Sequence, residues 1–295
     1  MSGFNQFLMQ LINGLNVGSI YALIALGYTM VYGIAKLINF AHGDIIMVGA
    51  YVCLVCINML GLPWYVAALI SIVACALLGV IMEKVAYKPL RSASRISLLI
   101  TAIGVSYLLE SGFQLIFTSN PKPFPSFISL PALKLGAVSI SSTYYVTFVI
   151  SVVLMIILNT FVRKTNVGKA MRAVSEDEGA ARLMGINVDR TISLTFAIGS
   201  ALAAVAGILY CSSYPVVTPY LGSLPGIKAF IAAVLGGIGS IPGAVLGGFI
   251  LGMVEAMTKA YISSKLTDAI VFTVLIVMLV FKPAGILGKN VKEKV

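Results

Sequence analysis

Residues 191–254 read TISLTFAIGSALAAVAGILYCSSYPVVTPYLGSLPGIKAFIAAVLGGIGSIPGAVLGGFILGMV, and Lys228 is their only charge. A soluble chain does not sustain such a stretch, because about a quarter of an ordinary domain's residues are charged. In lipid it is natural: about 20 apolar residues cross the hydrocarbon layer as a helix, whose backbone groups bond within the segment. Further charge-free runs cover 1–35, 45–82 and 135–162. Of the 295 residues 59% are apolar and 10% charged, and the mean hydropathy is +1.03. So few charges cannot cover a core of that size in water. Soluble classes are excluded.

The charges that remain are unevenly placed. Of 20 Lys and Arg against 10 Asp and Glu, most lie in three short stretches, Glu83–Arg95, Arg163–Arg190 and Lys282–Val295. The net charge of +10 would suggest nucleic acid in a soluble protein. Here it marks loops on the cytoplasmic side, where Lys and Arg collect, and no nucleic-acid partner is expected. The expected fold is an all-α polytopic membrane protein, one membrane domain over 1–295 with about eight spans or span segments. The spans lie near 9–34, 44–60, 64–83, 96–118, 143–162, 191–212 and 267–282, with a Gly-broken segment at 227–258. Placing the three basic stretches inside puts the 163–190 loop and the C-terminus in the cytoplasm. The 119–142 loop and the N-terminus then lie outside. The 227–258 segment must cross an even number of times, as a re-entrant hairpin or as two short spans. Gly61–Pro63 separates two spans, and Pro121-Lys122-Pro123-Phe124-Pro125 suits an extended connector. No basic region precedes the first apolar run, so the first helix itself is expected to direct insertion.

Catalytic material is sparse. The chain has one histidine, no H-E-x-x-H, no G-x-S-x-G and no phosphate loop, so it is not expected to be an enzyme or to hydrolyse ATP. Gly237-x-Gly239 resembles the start of a dinucleotide fingerprint, but Pro242 takes the third glycine's place in an apolar helix. Cys53, Cys56, Cys75 and Cys211 all lie in apolar runs and read as soft core side chains. Neither a metal nor a resident cofactor is expected.

The glycines point elsewhere. Gly14/Gly18, Gly239/Gly243, Gly243/Gly247 and Gly248/Gly252 are small-xxx-small pairs, the spacing with which helices approach closely in lipid. Around Gly236, Gly237, Gly239, Ser240, Pro242, Gly243 and Gly247 two readings stand: tight helix packing, and a broken helix lining a translocation path. Glu110 falls within a span, which makes it a candidate path residue. Glu255, four residues before Lys259, reads as half of an ion pair at adjacent turns. Asn39-Phe40-Ala41-His42-Gly43-Asp44 joins the first two spans. Its polar side chains suit capping of the following helix, with a gate or contact role for Asn39 and His42 as the other reading.

The most informative segment is Arg163–Arg190. Ser175 reads as an N-cap and Glu178 as its capping-box partner, with Glu176 and Asp177 favouring the helix start. Ala180, Ala181, Arg182, Leu183 and Met184 form a short body, stopped by Gly185. About ten residues cannot hold a helix by propensity alone, so this one needs something to dock against.

The acid–Ala–Ala–x3–Gly arrangement resembles the loop by which ABC importer permeases insert a coupling helix into a cytoplasmic ATPase. The family pattern sets a Glu directly before the Ala pair, whereas here Gly179 follows Glu178. Asn13-Gly14-Leu15, Gly18-Ser19-Ile20-Tyr21-Ala22-Leu23, Leu26-Gly27-Tyr28-Thr29-Met30-Val31-Tyr32-Gly33 and Ile38-Asn39-Phe40-Ala41-His42-Gly43 are similar to the opening of the high-affinity branched-chain amino acid (leucine/isoleucine/valine) permease family. So are Gly185-Ile186-Asn187, Lys228-Ala229-Phe230, Val234–Ala244 and the closing Pro283-Ala284-Gly285-Ile286-Leu287-Gly288. The resemblance runs from about residue 8 to 288. It implies a bacterial inner-membrane importer subunit for aliphatic amino acids, working by alternating access. It also implies a related second permease, two cytoplasmic ATPase subunits that bind the ATP, and an extracytoplasmic amino-acid-binding protein. Residues 175–185 would then be the ATPase-coupling helix. The other reading of so apolar a chain is an ion-coupled secondary carrier or channel for small polar solutes.

Overall fold

The computed structural model describes residues 3–288 apart from 92, 129, 136 and 137. The C-terminal basic stretch is therefore seen only from Lys282 to Gly288, and the expectation for residues 289–295 lies outside the described residues. Among those described, eleven α-helices carry the fold. They are α1 (Gly3–Ala35), α2 (His42–Asn58), α3 (Trp64–Met82), α4 (Arg95–Phe117), α5 (Ser142–Lys164), α6 (Asn166–Glu176), α7 (Glu178–Leu183), α8 (Val188–Ser213), α9 (Ser223–Gly236), α10 (Ile241–Tyr261) and α11 (Thr267–Phe281). α3 runs on through a π-helical turn, Glu83–Tyr87, into a 3-10 turn, Lys88–Leu90. Seven helices are long and apolar enough to cross a membrane, while α2 and α9 are apolar but shorter.

The centre of the bundle is α1. Every residue from Gly18 to Val31 is buried, as expected of a helix that is apolar all round. Around it pack α8, α9, α10 and α5, and α2 and α3 lie across α8. The outer faces of α3, α4, α5 and α11 expose rows of large apolar side chains, such as Leu69, Val73, Leu77 and Ile81 on α3. In water such a belt would aggregate; against acyl chains it costs nothing.

Because lipid tails are as apolar as leucine, helices here gain little by mere burial and associate through close contact. The α1–α10 seam is built that way. Gly14, Gly18 and Ala22 on α1 face Gly248, Gly252 and Ala256 on the antiparallel α10, backbone against backbone. A methyl group at Gly252 would overlap the Gly18 backbone, and one at Gly248 would overlap Ala22.

The Gly-broken segment resolves into two helices, α9 and α10, folded as a hairpin through Gly237–Ser240. At 14 residues α9 is roughly 21 Å long, short of the hydrocarbon layer, whereas α10 at 21 residues reaches roughly 31 Å. Gly237 (φ +103°) and Gly239 (φ +92°) make the turn, a backbone region that only glycine enters without strain. Ser240 then caps α10, its Oγ accepting from the Gly243 N–H at 3.2 Å. The orphan carbonyls at the end of α9 are met by the closing motif: Ile286 N–H donates to Leu235 O and Leu287 N–H to Gly236 O, both at 2.9 Å.

At the other end, the connector behaves as its prolines predict. Lys122–Pro123 (β1) pairs antiparallel with Val216–Val217 (β4), tying the α4–α5 loop to the α8–α9 loop. Leu133–Leu135 (β2) and Val138–Ile140 (β3) form a small hairpin in the same loop. Gly61 (φ +63°) turns the chain between α2 and α3, with Pro63 leading into α3.

The seam makes a clear contrast. Gly252→Leu should prise α10 from α1 and lower stability by at least the roughly 1–3 kcal/mol typical of overpacking. Gly104→Ala, where a methyl meets nothing within 4 Å, should be neutral or slightly stabilising. Thermal unfolding of the two purified variants in the same detergent measures the difference.

Candidate functional site

At the basic end, α5 leads into an amphipathic α6 that buries Gly168, Met171 and Val174 against the bundle. Thr165 caps it, its Oγ1 accepting from Gly168 N–H at 3.0 Å. Here the structure corrects one expectation. Ser175 is not an N-cap: it lies in the last turn of α6, and its Oγ donates to Arg172 O at 2.7 Å. The cap of α7 is Asp177, whose Oδ1 accepts from Ala180 N–H at 2.9 Å. Asp177 wins because its own extended backbone (φ −156°, ψ 112°) breaks the two helices apart there, which is the conformation an N-cap needs. Glu176 thus ends one helix and Glu178 begins the next.

Gly185 (φ +80°) stops α7 as expected. Its N–H donates to Arg182 O and that of Ile186 to Ala181 O, a Schellman closure. Ala181 is buried and holds α7 against the body, while Ala180 and Arg182 face out. Leu183 is 90% and Met184 82% exposed, an apolar pair at the tip of a loop among charged residues.

Directly after α7, Asn187 caps α8 by accepting from Arg190 N–H at 2.9 Å, and Asp189 enters an ion-pair junction. Arg91 binds Asp189 (Nη1–Oδ1 2.7 Å) and the wholly buried Glu83, and Lys88 also reaches Asp189 at 2.8 Å. Ser193 of α8 donates to Glu83 Oε2 at 2.5 Å. Within the same π-helical turn as Glu83, the Tyr87 hydroxyl donates to Asn39 Oδ1 at 2.7 Å. One polar chain therefore links the loop carrying α7 to the segment preceding α2.

That segment is also corrected. The residue before α2 is Ala41, and no side chain caps the helix. Asn39 is taken by Tyr87, and His42 lies edge-on against Tyr28 with ring centroids 4.6 Å apart, its Nε2 packed at Gly27. Asp44 does sit in the first turn, where the helix dipole favours it. On the facing α4, Glu110 Oε1 accepts from the hydroxyl of Ser223, the first residue of α9, at 2.6 Å. Glu110 lies roughly 20 Å along α4 from its start at Arg95. The short helices α2 and α9 thus begin inside the bundle, away from its basic end, and Gly43 and Gly226 let their first turns touch backbone to backbone.

The structure brings Asn39, His42 and Glu110 to this inner region. It assigns Gly236, Gly243 and Gly247 to the α9–α10 contact, and Gly237, Gly239 and Ser240 to the turn. Pro242 occupies the first turn of α10. These glycines thus serve close helix contact and the turn.

A second polar centre lies toward the opposite end. Lys259 pairs with Glu255 at 2.5 Å, as the i,i+4 spacing predicts. The same carboxylate accepts from the Tyr21 hydroxyl at 2.7 Å and binds Lys228 Nζ at 3.1 Å, while Lys228 also pairs with Asp268 at 2.7 Å. Sequence reasoning did not single out Tyr21, Lys228, Asp268, Arg91 or Asp189 as site residues. For Lys228 a signal existed, since a lone charge in so long an apolar run demands a buried partner. The others meet partners far along the chain, 98 residues away for Arg91 with Asp189 and 234 for Tyr21 with Glu255, which no local spacing reveals. Among the described residues no three His, Cys, Asp or Glu side chains group as metal ligands, and the four cysteines are buried and free.

Residues 10–279 match the family described as branched-chain amino acid transport system, permease component. The high-affinity branched-chain amino acid transport system permease LivH of Escherichia coli K12 is 44% identical over 99% of this chain and 99% of its own. BraD of Pseudomonas aeruginosa, described in the same words, is 44% identical over 98% of each chain. Among solved structures, PsaBC from Streptococcus pneumoniae in complex with Fab matches with a TM-score of 0.50 and 15% identity. That match spans 92% of this chain and 91% of that one, a likeness of fold alone.

The junction at Arg91 is testable by a cycle. Arg91→Met strands the buried Glu83 charge and should cost roughly 3–5 kcal/mol, whereas adding Glu83→Gln should recover much of that loss. Melting temperatures of the two single variants and the double variant decide it; additive losses would show that the pair does not act as a unit.

Proposed function

The chain belongs to the branched-chain amino acid transport permease family, and on that premise we propose that it is the membrane subunit of an ATP-driven importer for aliphatic amino acids. It is a multi-pass membrane protein whose role is transport and not catalysis. The observation that carries the coupling role is α7: a short, capped helix at the basic end whose Leu183 and Met184 project almost fully exposed. Apolar side chains at that position suit a groove on a soluble partner, and the chain has no nucleotide-binding motif of its own. In this reading α7 docks on one of two cytoplasmic ATPase subunits that bind the ATP. A related second permease completes the path, and an amino-acid-binding protein delivers substrate from outside. The basic end faces the cytoplasm of a bacterial cell and the N-terminus lies outside.

Closure of the ATPases would push on α7, whose short connection to α8 passes the motion to Asp189. Arg91, Lys88 and Glu83 then carry it into the end of α3, and Tyr87 passes it to Asn39 and the start of α2. The short helices α2 and α9 meet within the bundle, so a shift there changes the interior without breaking the α1–α10 seam. A secondary carrier is not favoured, because the relatives are components of a multi-component transport system.

The experiment replaces both exposed residues, Leu183→Ala with Met184→Ala, in the reconstituted transporter. ATP-dependent leucine uptake should fall about tenfold or more, the loss of a docking hot spot, while the permease keeps its melting temperature. Ala181→Arg is less clean because Ala181 is buried and its replacement disturbs the loop itself. Unchanged uptake in the double variant, or uptake by this chain without ATPases, overturns the reading.

A further inference from the structure

The ion-pair centre around Glu255 is not only a fastening. It forms one wall of a cavity of about 140 Å³ bounded by α1, α8, α9 and α10. A cavity of about that size accommodates a small organic molecule such as benzene, and it is ample for several waters. It lies near the end of the bundle opposite the basic segments: Glu255 is six residues before the end of α10, roughly 9 Å along the helix.

The lining divides by chemistry. Lys228, Glu255 and Lys259 present charge, with Glu255 and Lys228 both nearly buried and Lys259 half open. Tyr210 and Tyr214, with ring centroids 5.0 Å apart, supply an aromatic wall. Val17, Ile20 and Leu224 supply an aliphatic one, and Leu224 is 55% exposed at the rim. Lys228 and Lys259 are balanced by Glu255 and Asp268, so the cluster is neutral as a group. A ligand of net charge would upset that balance inside a low-dielectric bundle. A zwitterion would not: its carboxylate can share the lysines while its ammonium shares the carboxylates.

We propose that this cavity is an entry subsite for a zwitterionic amino acid, with Lys259 and Lys228 taking the α-carboxylate, Glu255 the α-ammonium, and the Val17–Ile20–Leu224 wall the aliphatic side chain. The assignment rests on the importer reading above and adds the place and residues of first contact. Two features suit it to transient occupancy. The charges are already paired, so the ligand exchanges contacts instead of filling an unmet charge, and the rim is open at Leu224 and Lys259. A site of that kind binds weakly and releases inward, which a path requires.

The four native cysteines are buried, so Leu224→Cys adds a single accessible thiol at the rim. The assembled transporter carrying this change, in lipid nanodiscs and without the solute-binding protein, is labelled with a membrane-impermeant maleimide. Saturating leucine should slow labelling about tenfold, whereas 4-methylpentanoate, lacking the ammonium, and isopentylamine, lacking the carboxylate, should protect poorly at the same concentration. Lys259→Gln should raise the half-protecting leucine concentration about tenfold, the loss of one charge-assisted contact, and Lys259→Arg should restore it. If Leu224→Cys does not assemble, Val17→Cys on the same aliphatic wall carries the same readout. No protection by leucine, or equal protection by the two singly charged analogues, overturns the subsite. Either result with ATP-driven leucine uptake intact leaves the importer reading standing; absence of that uptake in the unmodified transporter would instead overturn the importer reading.

Discussion

Contact between the backbones of α1 and α10 is the constraint on which the bundle depends. In a bilayer apolar side chains gain nothing by leaving lipid for protein, so helices are held by dispersion at close range and by polar contacts that lipid cannot replace. Gly14, Gly18 and Ala22 against Gly248, Gly252 and Ala256 supply the close range. With α1 held there, its fully buried segment becomes the surface on which α8 and α9 pack, and their packing brings the ends of the short helices together.

Polar links are confined to a few places, and each ties together elements distant in sequence. Arg91 joins the end of α3 to the start of α8, Tyr87 joins that junction to Asn39, and Glu255 joins α1, α9 and α10 through Tyr21, Lys228 and Lys259. The carbonyl end of α9 is satisfied by the backbone of Ile286 and Leu287. Together these turn an otherwise uniform apolar bundle into one with defined register. The Arg91 and Tyr87 links run from the start of α8, beside the loop bearing α7, toward the interior.

Much of this was legible in advance, for identifiable reasons. Charge-free runs and Gly–Pro punctuation located nearly every span, because lipid admits charge only at the ends or in pairs. The break at Gly237–Ser240 was visible because two glycines and a proline interrupt a helix. The cap of α7 differs: Ser175 and Glu178 fit a capping-box spacing, but Asp177 fits a cap two residues later, and only the backbone geometry selects between them. Similarly, Asn39 and Asp44 have the chemistry of caps, yet Asn39 is engaged by a tyrosine 48 residues away.

By itself, the sequence determined that the chain is an all-helical membrane protein, where its spans lie, which end is basic, and that a short helix sits in its basic loop. These follow from composition and local periodicity, since the cost of placing charge or open backbone in lipid acts residue by residue. Tertiary structure alone decided which charges meet, which glycines seam which helices, and that Lys228, Glu255 and Lys259 enclose a cavity with an aliphatic wall. Such pairings depend on distances between segments far apart in the chain, and one-dimensional spacing holds no record of them.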